Sequence, residues 1–333
     1  MTLDLVSSFD ALQPPIGGST VGAYFSAQTI PGFSQYRVAK DSDSKPALLI
    51  ARALSTRPST PIELQNLSVL HDVECRISKG TGEQEEGQFI VLRCKSDDPQ
   101  LHRYFLRTCS AMIPALGNSA ASRDVSNAIG RLVELFGALM LPPGKSVQGL
   151  WAELFLITRS SDAMALIKAW HVKADDLHDF NAGDYRIEVK SCASEVRKHH
   201  FTAQQLSAVP EARLLIASLF ANRSPGGISL GELIESARSK AGDNFEAISH
   251  IDRIIAQSLG NSWHQAINDR FDAHLALESL KFYRSESIPA IRPPVPAGVS
   301  DVRFVSDLSD CSEESYVSVQ QGGGIFAAVI PLG

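Results

Sequence analysis

Asp179-Phe180-Asn181-Ala182-Gly183-Asp184-Tyr185-Arg186-Ile187-Glu188-Val189-Lys190 is the stretch on which the reading of this chain turns. Gly183-Asp184 suits a two-residue hairpin turn, because glycine takes the first central position of a type II′ turn without steric cost. Phe180 then opposes Ile187, and Asp179 opposes Glu188. Directly opposed side chains stand roughly 4.5–5.5 Å apart at Cβ. Lys190 lies two residues past Glu188 and shares its face, while Ile187 and Val189 point into the core.

Two carboxylates held that close repel unless a cation joins them. Mg²⁺ is the natural partner, with Mn²⁺ as a substitute, because hard divalent ions are held by one or two carboxylates plus phosphate and water. Such an ion activates water and offsets charge on a phosphate. Lys190 would orient that water or neutralise developing charge. The same spacing also fits a surface hairpin with a cross-strand ion pair. Upstream, Glu153 is the sole charged residue of Gly149-Leu150-Trp151-Ala152-Glu153-Leu154-Phe155-Leu156-Ile157. Its helical neighbours Gly149, Leu150, Leu156 and Ile157 are apolar, so a carboxylate there needs a partner, a metal or a route to solvent. A buried acid beside an acid–acid–lysine hairpin points to metal-dependent phosphodiester cleavage.

Arg197-Lys198-His199-His200 follows as a basic cluster that would contact DNA phosphates, or else forms a solvated loop. Thr202-Ala203-Gln204-Gln205 has the form of a capping box, which would make Gln205 a helix cap. Gly144-Lys145-Ser146 resembles the end of a phosphate loop. Position 139 is Leu139, where the first glycine of that motif belongs, and two prolines precede Gly144, so nucleotide binding is rejected there.

The chain has 333 residues, 44% apolar and 20% charged, with a net charge of −6. That length predicts more than one domain of a folded, globular kind. The negative charge excludes a surface coated in positive charge but leaves room for a local basic groove. Five scattered cysteines without a Cys-x-x-Cys pair fit reduced thiols rather than disulfides or structural zinc. No secretory signal is visible, and no apolar run is long enough to span a bilayer, so a cytoplasmic protein is expected.

Strands are read at Ala47–Ala53, within 62–77 and at 88–94, and helices at 100–116 and 122–140. Pro142-Pro143-Gly144 stops the second helix. Helices follow at 148–160, 162–170, 201–209, 229–240 and 245–259, around the hairpin at 178–192 and an apolar run at 212–220. Strand-like alternation returns at 277–284 and 302–305. The order divides into a β-rich region 1–118, an α/β core 119–260 and a β-containing C-terminal extension 261–333.

Glu153, Asp179, Glu188 and Lys190, with Trp170, His178, His199-His200-Phe201 and Gln205-Leu206, resemble the PD-(D/E)XK nuclease superfamily. More closely, they are similar to bacterial PD-(D/E)XK proteins found beside restriction and phage-defence genes. The resemblance is firm over about 148–206. It implies a restriction-endonuclease-like α/β (α+β) core, a mixed sheet flanked by helices. It further implies metal ligation by Asp179 and Glu188 with support from Glu153, water activation by Lys190, and a site contact from Gln205. His178 stands where the family usually has proline. The implied activity is Mg²⁺-dependent DNA endonuclease, with ATPase or methyltransferase partners. The alternative is an inactive nuclease-fold adaptor assembling with those partners. A homodimer would supply the two active sites that cutting both strands requires.

Overall fold

The computed structural model describes residues 3–15, 23–51, 60–78, 84–173, 176–193, 196–207, 212–292 and 296–331. It is mixed α/β, with sheets flanked by helices, and forms two compact units, Met1–Leu141 and Pro142–Gly333. No helix among the described residues is long and apolar enough to cross a membrane.

The first unit begins with α1 (Leu5–Asp10), capped by the Asp4 carboxylate on the N–H groups of Val6 and Ser7. Six strands follow: β1 (Ala23–Ile30), β2 (Phe33–Lys40), β3 (Pro46–Ala51), β4 (Ile62–Glu63), β5 (Leu67–Ser78) and β6 (Gln84–Cys94). They pair in the order β1-β2-β3-β6-β5-β4, and a further parallel pairing of β1 with β5 closes the sheet on itself. Phe25, Leu49, Ile77, Phe89 and Val91 fill its interior. Two helices complete the unit, α2 (Pro99–Leu116) and α3 (Ser122–Ala138). Helix α2 starts where Asp98 caps the N–H groups of Gln100 and Leu101 and a proline fills the first turn. The strand read through to Ala53 is described only to Ala51.

The second unit holds the hairpin. Helix α4 (Val147–Arg159) is capped by Ser146, whose Oγ accepts from Gly149 N at 3.1 Å. Every residue from Leu150 to Thr158 is buried, so α4 is enclosed on all sides. A leucine fully buried in this way contributes roughly 1.5–3 kcal/mol. After α5 (Ala163–Ala169) come β7 (Phe180–Ala182), β8 (Tyr185–Cys192), β9 (Lys198–Thr202), α6 (Ala203–Leu206) and β10 (Arg213–Phe220). Then follow β11 (Arg223–Ser229), α7 (Leu230–Ala241), α8 (Phe245–Leu259), α9 (Trp263–Ala266), β12 (Arg270–Phe271), α10 (Ala273–Glu278) and β13 (Lys281–Arg284). The last elements are β14 (Arg303–Asp307), α11 (Tyr316–Gln321) and α12 (Gly324–Ala328).

The central sheet runs β13-β10-β8-β7. Its inner pair, β8 with β10, is parallel, and the outer pairs are antiparallel. Helix α4 packs on β8 and α7. Strands from beyond residue 261 join this unit: β13 pairs with β10, β12 with β11 and β14 with β9. The helix expected over 201–209 is mostly absent. Phe201 and Thr202 finish strand β9, only Ala203–Leu206 is helical, and Val209 lies outside the described residues.

Candidate active site

The hairpin has the register that its turn predicts. Phe180 opposes Ile187, Asn181 opposes Arg186 and Ala182 opposes Tyr185. Gly183 turns the chain at φ 53°. Carried one step further, the same register would set Asp179 opposite Glu188, but the strand pairing stops at Phe180–Ile187. Strand β7 begins at Phe180, so from Glu188 onward β8 is paired with β10 alone. The Val189 N–H is thereby released from a ladder on that side, and it donates to Asp179 Oδ2 at 2.8 Å. Ile187 is buried as expected, while Val189 is only half-buried.

Glu188 is 4% exposed. Its Oε1 accepts from Lys190 Nζ at 2.8 Å and from Gln205 Nε2 at 2.9 Å. Its Oε2 is buried and has no partner among the described residues. Burial and the nearby Asp179 charge push this carboxyl up to about 8, against the pull of Lys190. Lys190 also lies over the Phe201 ring, 4.9 Å from its centroid. Gln205 does two jobs. Its Oε1 accepts from Thr202 N at 3.1 Å, closing a capping box, while its amide nitrogen reaches Glu188. His178 Nε2 lies 2.8 Å from Gln205 O, and because a carbonyl only accepts, this nitrogen carries the proton.

Helix α4 delivers Glu153, which is 3% exposed, beside Asp179. Glu153 Oε2 accepts from the Trp170 indole at 2.6 Å, and Oε1 accepts from Lys145 Nζ at 2.6 Å. Lys145 Nζ is also 3.2 Å from Asp179 Oδ1 and 2.5 Å from His171 Nε2. His171 Nε2 in turn lies 2.9 Å from Glu153 Oε2 and 3.4 Å from Asp179 Oδ1. One ligand atom each from Glu153, His171 and Asp179 falls within 4.8 Å of the others. Burial alone would raise Glu153, but the Lys145 charge and the His171 contact outweigh it and hold the carboxyl at about 2. Asp179 is pushed upward by burial and by the Glu153 charge. Lys145 is pulled down by burial but raised overall by Glu153 and Asp179.

The sequence candidates therefore fall into two neighbouring groups: Glu188 with Lys190 and Gln205, and Glu153 with Asp179, which holds the β8 backbone at Val189 N–H. Lys145 and His171 join them and were not candidates. Lys145 belongs to the Gly-Lys-Ser triple that fails as a phosphate loop; its remaining signal is a lysine one helical start ahead of a buried acid. His171 carries a left-handed backbone at φ 38°, unusual for a residue with a side chain and concentrated at functional sites. Nothing in the residue order announces that conformation.

The basic cluster splits. Along β9, exposed Lys198 and His200 alternate with buried His199 and Phe201. Arg197 is buried too, and its guanidinium donates to Ser218 O at 3.0 Å, Ser218 Oγ at 2.8 Å and Ser279 O. His199 Nε2 lies 2.8 Å from Ser218 Oγ, and burial beside Lys190 and Arg197 pushes its imidazole down to about 4. Arg197 and His199 thus turn inward to the sheet rather than out to a phosphate, because strand alternation sends neighbours to opposite faces. Lys198 and His200 are the outward members.

A family model described as "Putative PD-(D/E)XK family member" matches residues 18–309 of the chain. No curated protein and no solved structure gives a match.

Proposed function

The chain belongs to this PD-(D/E)XK family, and on that premise we propose that it is a divalent-metal-dependent nuclease that hydrolyses phosphodiester bonds in DNA. One observation carries the reading: Glu188 Oε2 is buried with no partner among the described residues, near a second buried acid, Asp179. A desolvated carboxylate in that position costs several kcal/mol, of order, unless a cation or a proton meets it. The upward push on both carboxyls expresses the same deficit. Oxygen donors of this kind fit Mg²⁺ or Mn²⁺, which Asp179 and Glu188 would hold.

When bound, such an ion lowers the pKa of a water and stabilises charge on the phosphate. The chain's own residues supply the rest. Val189 N–H fixes the Asp179 carboxylate, and Gln205 fixes Glu188 through Oε1, so that Oε2 would be the oxygen left to hold an ion. Lys190, held between Glu188 and the Phe201 ring, keeps further N–H donors for a water or a phosphate oxygen. Glu153 anchors Lys145 and His171 behind Asp179. Lys198 and His200 are the exposed groups available to a DNA backbone. A bacterial restriction or phage-defence setting, with ATPase or methyltransferase partners, rests on the resemblance of the motif set.

Supercoiled plasmid incubated with the protein and Mg²⁺ or Mn²⁺ tests the proposal. Metal-dependent nicking should fall by ~10²–10⁴-fold in Asp179→Ala and in Lys190→Ala. Nicking that survives both substitutions belongs to something else in the preparation. No nicking with either metal, alone or with candidate partners, would favour the adaptor.

A further inference from the structure

We propose that Lys145 is a built-in counter-cation occupying a second metal position, formed by Glu153, His171 and Asp179, and that removing its ammonium opens that position to a transition-metal ion. The inference rests on the proposed metal chemistry only for the neighbouring Glu188 position; the role of Lys145 itself does not require DNA cleavage.

The geometry is that of a cation among ligands. Lys145 Nζ stands 2.6 Å from Glu153 Oε1, 3.2 Å from Asp179 Oδ1 and 2.5 Å from His171 Nε2. Three donors from three parts of the chain converge on it: one from α4, one from the residues after α5 and one from the approach to β7. Their ligand atoms fall within 4.8 Å of one another, so a modest inward movement would close them on a smaller ion. Two carboxylate oxygens with one imidazole nitrogen suit Mn²⁺, Co²⁺ or Zn²⁺ better than Mg²⁺, which favours oxygen. Glu188 Oε2, buried with no partner among the described residues, independently points to a cation. The site thus combines one covalently tethered charge with one position for an exchangeable ion. Two-metal hydrolysis would need Lys145 to swing out; with it in place, the protein works with one ion.

The test counts metal on full-length, metal-stripped protein, using Mn²⁺ followed by the spin-resonance signal of the free ion. Lys145→Met should bind about one more Mn²⁺ per chain than wild type, as a vacated two-oxygen, one-nitrogen site requires. With Co²⁺, the variant should gain a visible absorption band that Lys145→Met/His171→Ala lacks. Equal stoichiometry in wild type and Lys145→Met overturns the inference. So does wild type that already fills both positions, a result that needs no variant. If Lys145→Met is unfolded without metal, its melting is followed with and without Mn²⁺: restoration of a cooperative transition supports the inference, and no restoration overturns it. A protein that shows the extra ion but never cuts plasmid leaves this inference standing and removes the nuclease reading.

Discussion

A carboxylate that loses its water must be met by a proton, a cation or hydrogen bonds, and the acids of this site take different routes. Glu153 is met by Lys145 and Trp170 and stays ionised. Glu188 has one satisfied oxygen and one with no partner among the described residues. Its carboxyl, raised from 4.5 to about 8, keeps its proton in the folded state over a range where the unfolded chain has lost it. The native state then binds more protons, so stability falls as pH rises through that window. Asp179, also raised, adds in the same direction. Metal-free protein should therefore resist urea less well at pH 8 than at pH 5 because of this carboxyl. Glu188→Gln should flatten the trend. Glu153 works with the opposite sign: held at about 2, it contributes stability present above 4.5 and lost as acid approaches 2. An unchanged pH slope in Glu188→Gln would mean that Glu188 is already ionised in the fold. Arg197 makes a second prediction at this scale. Its removal leaves buried Ser218 and Ser279 acceptors unmet, so Arg197→Ala should cost about 2–3 kcal/mol in urea unfolding. Lysine should not restore it, lacking the planar fork that reaches Ser218 and Ser279 together. Lys198→Ala, at an exposed position, should stay within about 0.5 kcal/mol. A stable Arg197→Ala would return that residue to the surface role read from its neighbours. The acids were legible from local pattern: Glu153 breaks an apolar run, and Glu188 shares one face of an alternating strand with Lys190. Lys145 and His171 were not, since what marks them is a contact across the fold and a backbone angle.

Elements with strong local signals match their sequence readings closely. Helix α8 spans Phe245–Leu259, with Asn244 capping Ala247 N and Gly260 ending it at φ 47°. Strand β10 is the apolar run 212–220, buried along nearly its whole length as an inner strand requires. Strands β1 and β2 were missed, because Gln28, Thr29, Ser34 and Gln35 interrupt any apolar run; they pair with each other across the Pro31-Gly32 turn, and β1 pairs besides with the distant β5. The end of strand β9, Phe201 and Thr202, was read as helix because a real capping box at Thr202 and Gln205 opens a helix of only four residues. The decisive element is the β7–β8 hairpin, whose turn sets the register that carries Asp179 toward Glu188. Gly183 has open space where a Cβ would go, so substitution there is opposed by backbone conformation alone. Gly183→Val should destabilise the protein by about 1–2 kcal/mol, the left-handed cost for a side-chain-bearing residue, and Gly183→Asn by less. Urea midpoints measure both. Equal midpoints for Val, Asn and wild type would mean that the turn relaxes to another conformation, and the register that carries Asp179 toward Glu188 would lose its local cause.

At the scale of the whole molecule, every contact that builds the site lies in one unit. Lys145, Glu153, His171, Asp179, Glu188, Lys190 and Gln205 all fall within Pro142–Gly333. So do the strands after residue 261, which pair with β9, β10 and β11. The sequence placed its divisions at 118 and 260, where composition changes; Leu141-Pro142-Pro143-Gly144, read as a helix stop and a linker candidate, sits where the chain passes from one unit to the next. Composition follows local element type, whereas a compact unit is defined by long-range pairing, and strands such as β13 and β14 show their allegiance only through partners far upstream. A chain of net charge −6 has no general attraction for DNA, so any basic surface must be local. Salt should then weaken DNA binding with a shallow slope, since few phosphates are neutralised. The division into units yields the last prediction. A fragment of residues 142–333 retains all the hydrogen bonds of the site, both of its proposed ligands and the sheet that carries them. It should unfold in a single cooperative transition and gain stability from Mn²⁺ through binding to the native state alone. Calorimetry with and without the ion measures both. A fragment that is folded but indifferent to Mn²⁺ would count against Asp179 and Glu188 as ligands, while one that fails to fold would show that the first unit supplies stability the second lacks.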